Sequence, residues 1–188
     1  MKQLYEYIHL MKGVIPEDFC NDAIQHYTIR NQWVEHAWTK YDDTPSKNIV
    51  LTKREKELLN SPFDGQFLEY LIERCDQWLK SYSNRHPHQF QIKNTSEFRI
   101  NRYVTGTGMA DHSDNIVSLF EKGAGSPILS IVGCLNDDYE GGDFIMFDDM
   151  KINLKKGDVL IFPSAFMYRH RVETVTKGER WTFVTWAF

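Results

Sequence analysis

The sequence predicts a mostly β fold with flanking helices: a double-stranded β-helix, or jelly roll, with supporting helices on its N-terminal side. From Glu97 onward, short apolar and β-branched segments alternate with turns rich in Asn, Asp and Gly, which is typical of antiparallel strands. Before that point, apolar residues recur at spacings of three and four, which is typical of one face of a helix. A jelly roll protects its sheet edges and leaves a pocket at one end, so a site is expected there.

The composition fits one globular domain. The chain has 188 residues, 41% of them hydrophobic and 14% aromatic, which is enough for a sizeable core. The net charge is −4 and no long basic run occurs, so we expect no general nucleic-acid-binding surface. Cys20, Cys75 and Cys134 are odd in number and lack C-x-x-C spacing, which indicates free thiols in a reducing compartment. No signal-peptide core and no membrane span is evident, so we expect a cytoplasmic protein, either a monomer or a small homo-oligomer.

The first half of the single domain, residues 1–96, is predicted to supply helical support and substrate-recognition elements. Residues 5–15 are predicted as an early strand. Pro16, followed by two acidic residues, then marks the start of a helix. The polar segment 42–46 is predicted as an ordinary loop, with a substrate lid as the alternative.

Two further helices are predicted before the strand-rich half. The first covers residues 53–60. The second begins at Asp64 and is the strongest in the chain, because its apolar residues repeat with helical spacing up to Leu79. His86 and His88 follow it and are predicted to lie in a solvated loop.

The second half, residues 97–188, is predicted to form the jelly-roll catalytic core. Segment 129–135 is apolar and β-branched, which predicts a central strand. Segment 136–142 is a turn rich in Asn, Asp and Gly. The other predicted strands cover residues 98–104, 144–147, 152–154, 159–162, 168–172 and 180–186.

The segment around His112 indicates a metal site. His112 and Asp114 are two residues apart, and such residues share one face of an extended segment. His170 is the candidate third ligand. Two imidazoles and one carboxylate form a face that holds Fe(II) with positions left open for substrate and O₂. A chain of this composition is expected to contain about one His-x-acid triplet by chance. A zinc hydrolase would also accept the same ligands.

Arg180 follows the second histidine by ten residues and provides a fixed cation near the same pocket. Its planar, always-charged fork can bind a carboxylate through two hydrogen bonds. Thr182, Val184 and Trp186 point the same way along the strand, so Thr182 could add a hydroxyl to a bound carboxylate and Trp186 an apolar wall. Lys177 is the rival cation, although it lies in a predicted turn.

Taken together, these segments resemble the prolyl 4-hydroxylase-like branch of the Fe(II)/2-oxoglutarate dioxygenases. The resemblance covers about residues 97–188, half of the chain. The matching segments, in order, are Asn101-Arg102-Tyr103, His112-x-Asp114, Leu135-Asn136-Asp137-Asp138-Tyr139-Glu140-Gly141-Gly142, Lys156-Gly157-Asp158 with Ile161-Phe162-Pro163, His170-Arg171-Val172 and Val175-Thr176-Lys177-Gly178-Glu179-Arg180-Trp181.

The resemblance implies a role for each site residue. His112, Asp114 and His170 would bind the iron, Arg180 would hold the distal carboxylate of 2-oxoglutarate, and Tyr103 would hydrogen-bond that cosubstrate. The implied cofactors are Fe(II), 2-oxoglutarate and O₂, with ascorbate as a candidate addition. The implied activity is hydroxylation of an unactivated C–H bond, most like prolyl 4-hydroxylation, on a peptide, protein or small-molecule substrate.

Two alternatives from other classes remain open at this point. One is a non-catalytic jelly-roll module that binds metal, and the other is the zinc hydrolase. Within the dioxygenases, a non-peptide substrate is also compatible with the sequence.

Overall fold

The structure, a computed structural model, describes residues 3–35, 38–40, 50–52, 59–87, 91–115 and 126–188. Within these ranges the helices are α1 (Glu17–Arg30) and α2 (Gly65–Arg85), and a 3₁₀ turn covers Leu4–Tyr7. The strands are β1 (His9–Met11), β2 (Val34–Glu35), β3 (Trp38–Lys40), β4 (Val50–Thr52), β5 (Leu59–Pro62), β6 (Arg99–Val104), β7 (Met109–His112), β8 (Leu129–Cys134), β9 (Glu140–Gly141), β10 (Phe144–Met146), β11 (Met150–Ile152), β12 (Val159–Pro163), β13 (His170–Val172), β14 (Val175–Lys177) and β15 (Glu179–Ala187).

Two antiparallel sheets form the body of the fold. The major sheet has the strand order β1-β12-β8-β15-β6-β5-β2, and the minor sheet has the order β11-β10-β13-β7. Strands β14 and β9, and strands β3 and β4, form two small additional pairs. Sequential strands lie in opposite sheets over much of the second half, which is the jelly-roll arrangement that the sequence predicted.

The major sheet has one face toward the helices and one toward the minor sheet. Along β15, Trp181 and Phe183 join the cluster that contains the helix residues. Val184 and Trp186 join the cluster between the two sheets. Because side chains of a strand alternate between faces, this division also directs Arg180 to the space between the sheets.

The two long helices begin where the sequence signals predicted. In α1, Pro16 precedes two acidic residues of the first turn, and Asn31 ends the helix in the left-handed conformation with φ of 46°. Helix α2 places six residues against the sheet, and its apolar stripe is therefore core. These six residues are Phe67, Leu71, Cys75, Trp78, Leu79 and Tyr82.

The predicted early strand and the predicted helix at 53–60 need correction. Only His9–Met11 is a strand, because the preceding residues form the 3₁₀ turn, whose carbonyl at Tyr7 accepts a hydrogen bond from the Tyr82 hydroxyl at 2.8 Å. Leu59 and Asn60 lie in β5, which pairs with β6. Residues 53–58 lie outside the described ranges, as does the polar segment 42–46.

The prediction of a solvated loop after α2 is wrong for His86. Its ring is buried against the rings of Tyr7 and Tyr82, with centroid distances of 5.0 Å and 4.7 Å. His88 lies outside the described residues. Among the helices that the structure describes, none is long and apolar enough to cross a membrane.

Candidate metal centre

The three predicted ligands meet on the minor sheet. His112 is the last residue of β7 and His170 the first of β13, and the two are direct partners in the antiparallel pairing of these strands. This register brings their ring centroids to 4.2 Å. Asp114 follows β7 in a bend, so the strand does not extend through both residues as the sequence argument assumed.

The ligand atoms converge despite that bend. The Nε2 of His112 lies 3.4 Å from Oδ1 of Asp114, and the Nε2 of His170 lies 3.8 Å from Oδ2 of the same carboxylate. One donor atom from each residue lies within 4.8 Å of the other two. Two nitrogens and one carboxylate oxygen at this spacing suit a divalent transition metal, with coordination positions left for other groups.

Hydrogen bonds orient both imidazoles. The Nδ1 of His112 lies 2.7 Å from the carbonyl oxygen of Ala110, and the Nδ1 of His170 lies 3.1 Å from the carbonyl oxygen of Tyr168. A carbonyl only accepts, so each Nδ1 carries the proton and donates it. In the neutral form of each ring, Nε2 therefore has its lone pair available for a metal, which is the usual way that a carbonyl partner sets the tautomer of a ligating histidine.

A pair of buried hydroxyls fixes the carboxylate from the major sheet. The hydroxyl of Ser130 donates a 2.5 Å hydrogen bond to Oδ2 of Asp114, and a 2.8 Å hydrogen bond joins Ser130 to Ser164. The sequence analysis missed both residues. The available signal was a serine inside the apolar run of segment 129–135, since a buried polar group in a central strand needs a partner.

The electrostatics of the three residues are coupled. Burial by itself would raise the pKa of Asp114, but His170, His112 and the Ser130 hydroxyl hold that pKa well below its ordinary value. Burial lowers the pKa of His170 to about 4. Burial opposes charge on His112 too, yet its hydrogen bond to Asp114 raises the pKa. Asp114 is therefore ionised and His170 neutral at neutral pH, as metal ligands must be.

Arg180 lies in the same interior with unsatisfied donors. Its side chain is 1% exposed, and its Nε and Nη2 have no hydrogen-bond partner among the residues that the structure describes. Its Cζ lies 5.0 Å from the centroid of the Tyr103 ring. A cavity of about 190 Å³ adjoins it, lined in part by Gly142 and Phe144. A Cβ at Gly142 would lie 3.1 Å from Cδ of Arg180, so this glycine leaves room for the arginine.

Tyr103 and Thr182 lie beside this arginine, Trp186 lies further along the same face of β15, and the rival cation lies elsewhere. Tyr103 is the direct partner of Arg180 in the pairing of β6 with β15. Thr182 and Trp186 are buried on the same face of β15. Lys177 instead forms a 2.6 Å ion pair with Glu140 at the surface. A buried guanidinium whose Nε and Nη2 have no partner among the described residues is suited to an anion that enters the cavity.

Comparison with known proteins finds similarity over the jelly-roll half of the chain. Residues 98–188 match the family model described as the 2OG-Fe(II) oxygenase superfamily. A PKHD-type hydroxylase of Psychrobacter sp. (strain PRwf-1) is 37% identical over 91 residues, which are 45% of this chain and 34% of that protein. This chain thus spans well under two thirds of the length of the curated relatives that it matches first.

Two solved structures share the fold over nearly the whole chain. A Pseudomonas putida prolyl-4-hydroxylase has a TM-score of 0.69 and 14% sequence identity, covering 96% of this chain and 91% of that one. A Trichoplax adhaerens prolyl hydroxylase in complex with a hypoxia inducible factor peptide fragment has a TM-score of 0.73 and 16% identity, covering 97% and 84%. The jelly-roll half of this chain therefore matches the 2OG-Fe(II) oxygenase superfamily, and the chain shares its fold with prolyl hydroxylases.

Proposed function

We propose that this chain is a hydroxylase that uses Fe(II), 2-oxoglutarate and O₂ to hydroxylate an unactivated C–H bond. In this proposal His112, Asp114 and His170 hold the iron, and Arg180 binds the distal carboxylate of 2-oxoglutarate. The observation that carries it is the pairing of a metal-ligand triad with a buried guanidinium whose Nε and Nη2 have no partner among the described residues. A zinc hydrolase does not require that second group.

The residues present fit both cofactors. The triad offers two imidazole nitrogens and one carboxylate oxygen, a donor set that suits Fe(II). Arg180 offers a planar fork that matches a carboxylate, beside a cavity with space for a small dicarboxylate. When bound, the iron with its cosubstrate and O₂ would supply the oxidising chemistry, which converts 2-oxoglutarate to succinate and CO₂ as the substrate is hydroxylated.

The protein's own part is orientation and exclusion of water. Ser130 holds the Asp114 carboxylate in place by its hydrogen bond. Phe144 and Phe162 pack against the His170 ring, with centroid distances of 5.3 Å and 4.9 Å. These contacts fix the metal ligands and place apolar surface around them. Tyr103 would position the cosubstrate next to Arg180, and Thr182 and Trp186 would line the rest of the cosubstrate pocket.

The finer features of this function are also proposals. The family's best-known substrates and the fold of the relatives favour a prolyl-type substrate, while a small-molecule substrate remains the second option. Ascorbate is a candidate additional reductant. We place residues 1–96 as a support for the jelly roll within a single domain of residues 1–188, and we expect a cytoplasmic monomer or small homo-oligomer.

The sharpest test is the 2-oxoglutarate affinity of Arg180→Ala, measured by anaerobic titration of the Fe(II) protein. Removing one partner of a buried charged pair costs about 3–5 kcal/mol, so affinity should fall roughly 10²–10³-fold at about 1.4 kcal/mol per tenfold. Fe(II) affinity should be nearly unchanged. Arg180→Lys should fall between, because a point charge cannot reproduce the fork.

Lys177→Ala is the matched control, because Lys177 pairs with Glu140 at the surface. It should bind 2-oxoglutarate normally. A large loss in Lys177→Ala with none in Arg180→Ala would move the clamp to Lys177. No loss in either variant would overturn the cosubstrate assignment.

A further inference from the structure

A second arginine points into the space between the sheets. Arg99 lies on β6, four residues before Tyr103 and on the same face of the strand. Its Cζ lies 4.7 Å from the centroid of the Trp186 ring. Its Nε is buried without a hydrogen-bond partner, and no described residue forms an ion pair with its guanidinium. The mechanism derived above does not use this residue.

The strand pairing locates Arg99 relative to the two parts of the site. Arg99 pairs with Val184 on β15, whereas Arg180 pairs with Tyr103, so the two arginines are four residues apart along the ladder. At about 3.3 Å per residue the separation along the strands is roughly 13 Å. Trp186, whose ring the Arg99 guanidinium contacts, pairs with Ser130 on β8. Along the strands, Arg99 therefore lies next to the proposed metal ligands and away from the cavity beside Arg180.

Electrostatics supports this placement. Burial lowers the pKa of Arg99, and Asp114, Tyr103 and Glu97 partly offset that effect, so Arg99 and Asp114 interact across the interior. An arginine stays protonated at neutral pH even so. Arg99 thus brings a positive charge next to the proposed metal centre.

That charge has no counterpart in the proposed complex. The two positive charges of Fe(II) and the one of Arg180 would be balanced by Asp114 and by the two carboxylates of 2-oxoglutarate. Glu97 interacts with Arg99 from an exposed position without forming an ion pair, so the charge of Arg99 has no buried counterpart. A charge in a mostly buried position is costly unless an opposite charge meets it, so one further anionic group is expected in this part of the site.

We propose that Arg99 binds a carboxylate of the primary substrate and so selects a small carboxylate-bearing molecule, of the size of a free amino acid. The inference rests on the proposed function, because the site is placed relative to the metal and the cosubstrate. The guanidinium would hold the carboxylate through charge-assisted hydrogen bonds, with Trp186 as the apolar surface under the rest of the molecule. An internal residue of a peptide has no carboxylate on its backbone and would leave Arg99 unpaired.

The test uses the full chain loaded with Zn(II) and 2-oxoglutarate, a complex that does not react with O₂. The probes are the common free L-amino acids and the matching amino acid amides, with binding followed by saturation-transfer NMR. At least one amino acid should bind, and its amide should bind roughly 10–100-fold more weakly because a charge-assisted hydrogen bond is lost. Arg99→Gln should weaken that amino acid to a similar extent, and Arg99→Lys less.

Arg102→Gln is the matched control on the same strand. Arg102 lies on the opposite face, where it pairs with Glu179 at 2.5 Å, so its loss should leave amino acid binding unchanged. The inference is overturned if no amino acid binds better than its amide, or if Arg99→Gln binds as the unmodified chain does. It is also overturned if Arg99→Gln loses 2-oxoglutarate affinity as Arg180→Ala is expected to, which would assign Arg99 to the cosubstrate. Failure of the unmodified chain to bind 2-oxoglutarate would instead refute the proposed function.

Discussion

One hydroxyl group connects the proposed metal ligands to the major sheet. Ser130 donates to Asp114 and also bonds with Ser164, so the carboxylate has a fixed orientation before any metal arrives. His112 and His170 are oriented by carbonyl groups of their own strands. Groups of this kind around a metal site commonly change metal affinity as much as a weak ligand does.

The Ser130→Ala variant should therefore bind Fe(II) more weakly, by about 10–100-fold. The reason is that one oxygen of Asp114 loses its donor and the carboxylate becomes free to rotate. Anaerobic Fe(II) titration measures the change. Ser164→Ala is the graded control, because Ser164 contacts Ser130 without contacting Asp114, and it should lose less. Equal affinity in Ser130→Ala and the unmodified chain would contradict this role.

At the scale of elements, α2 is the main support of the major sheet. Its buried residue Leu71 lies in the cluster that also contains Phe183 of β15 and Ile131 of β8. Phe183 separates two residues of the opposite face, Thr182 and Val184, that line the interior. Packing of α2 therefore holds the strand that presents Arg180.

Leu71→Ala should lower the free energy of unfolding by about 2–5 kcal/mol, the cost of a cavity at a buried leucine. The next residue provides the comparison: Leu71 is 0% exposed and Ile72 is 53% exposed. Ile72→Ala should change stability by less than about 0.5 kcal/mol. Urea unfolding of the metal-free protein measures both. Similar losses in the two variants would show that α2 does not pack as described.

At the scale of the whole molecule, the site exists only when the two sheets close on each other. The minor sheet supplies His112 and His170, while the major sheet supplies Ser130 and Arg180. Protonation of the site is therefore linked to folding of the entire jelly roll.

Stability of the metal-free protein should fall as the pH falls from about 6.5 to about 4. Burial lowers the pKa of His170 from 6.5 to about 4. Between these pH values His170 binds a proton in the unfolded chain but not in the folded chain, so protonation favours unfolding. The loss from this residue is at most roughly 3 kcal/mol. Urea unfolding at several pH values should show a shallower pH dependence for His170→Gln. The same slope in both proteins would contradict the linkage.

Local patterns in the sequence predicted most of the scaffold. The spacing of apolar residues identified α1 and α2, and the alternation along β15 placed Arg180 and Trp186 on one face, because both patterns depend only on the backbone geometry of one element. The His112 and Asp114 pair and the later His170 were found from residue type and order.

Contacts between distant segments had to come from the tertiary structure. Residues 59–60 became strand because β6 pairs with them, and His86 became buried because the 3₁₀ turn covers it. Ser130 donates a hydrogen bond to Asp114 from the opposite sheet. The register of β6 with β15 places Arg99 near the proposed metal ligands. The sequence by itself determined the two long helices, most strands of the jelly-roll half and which side chains of a strand share a face. Only the tertiary structure decided which faces meet, because sheet register and closure depend on packing between residues that are far apart in the chain.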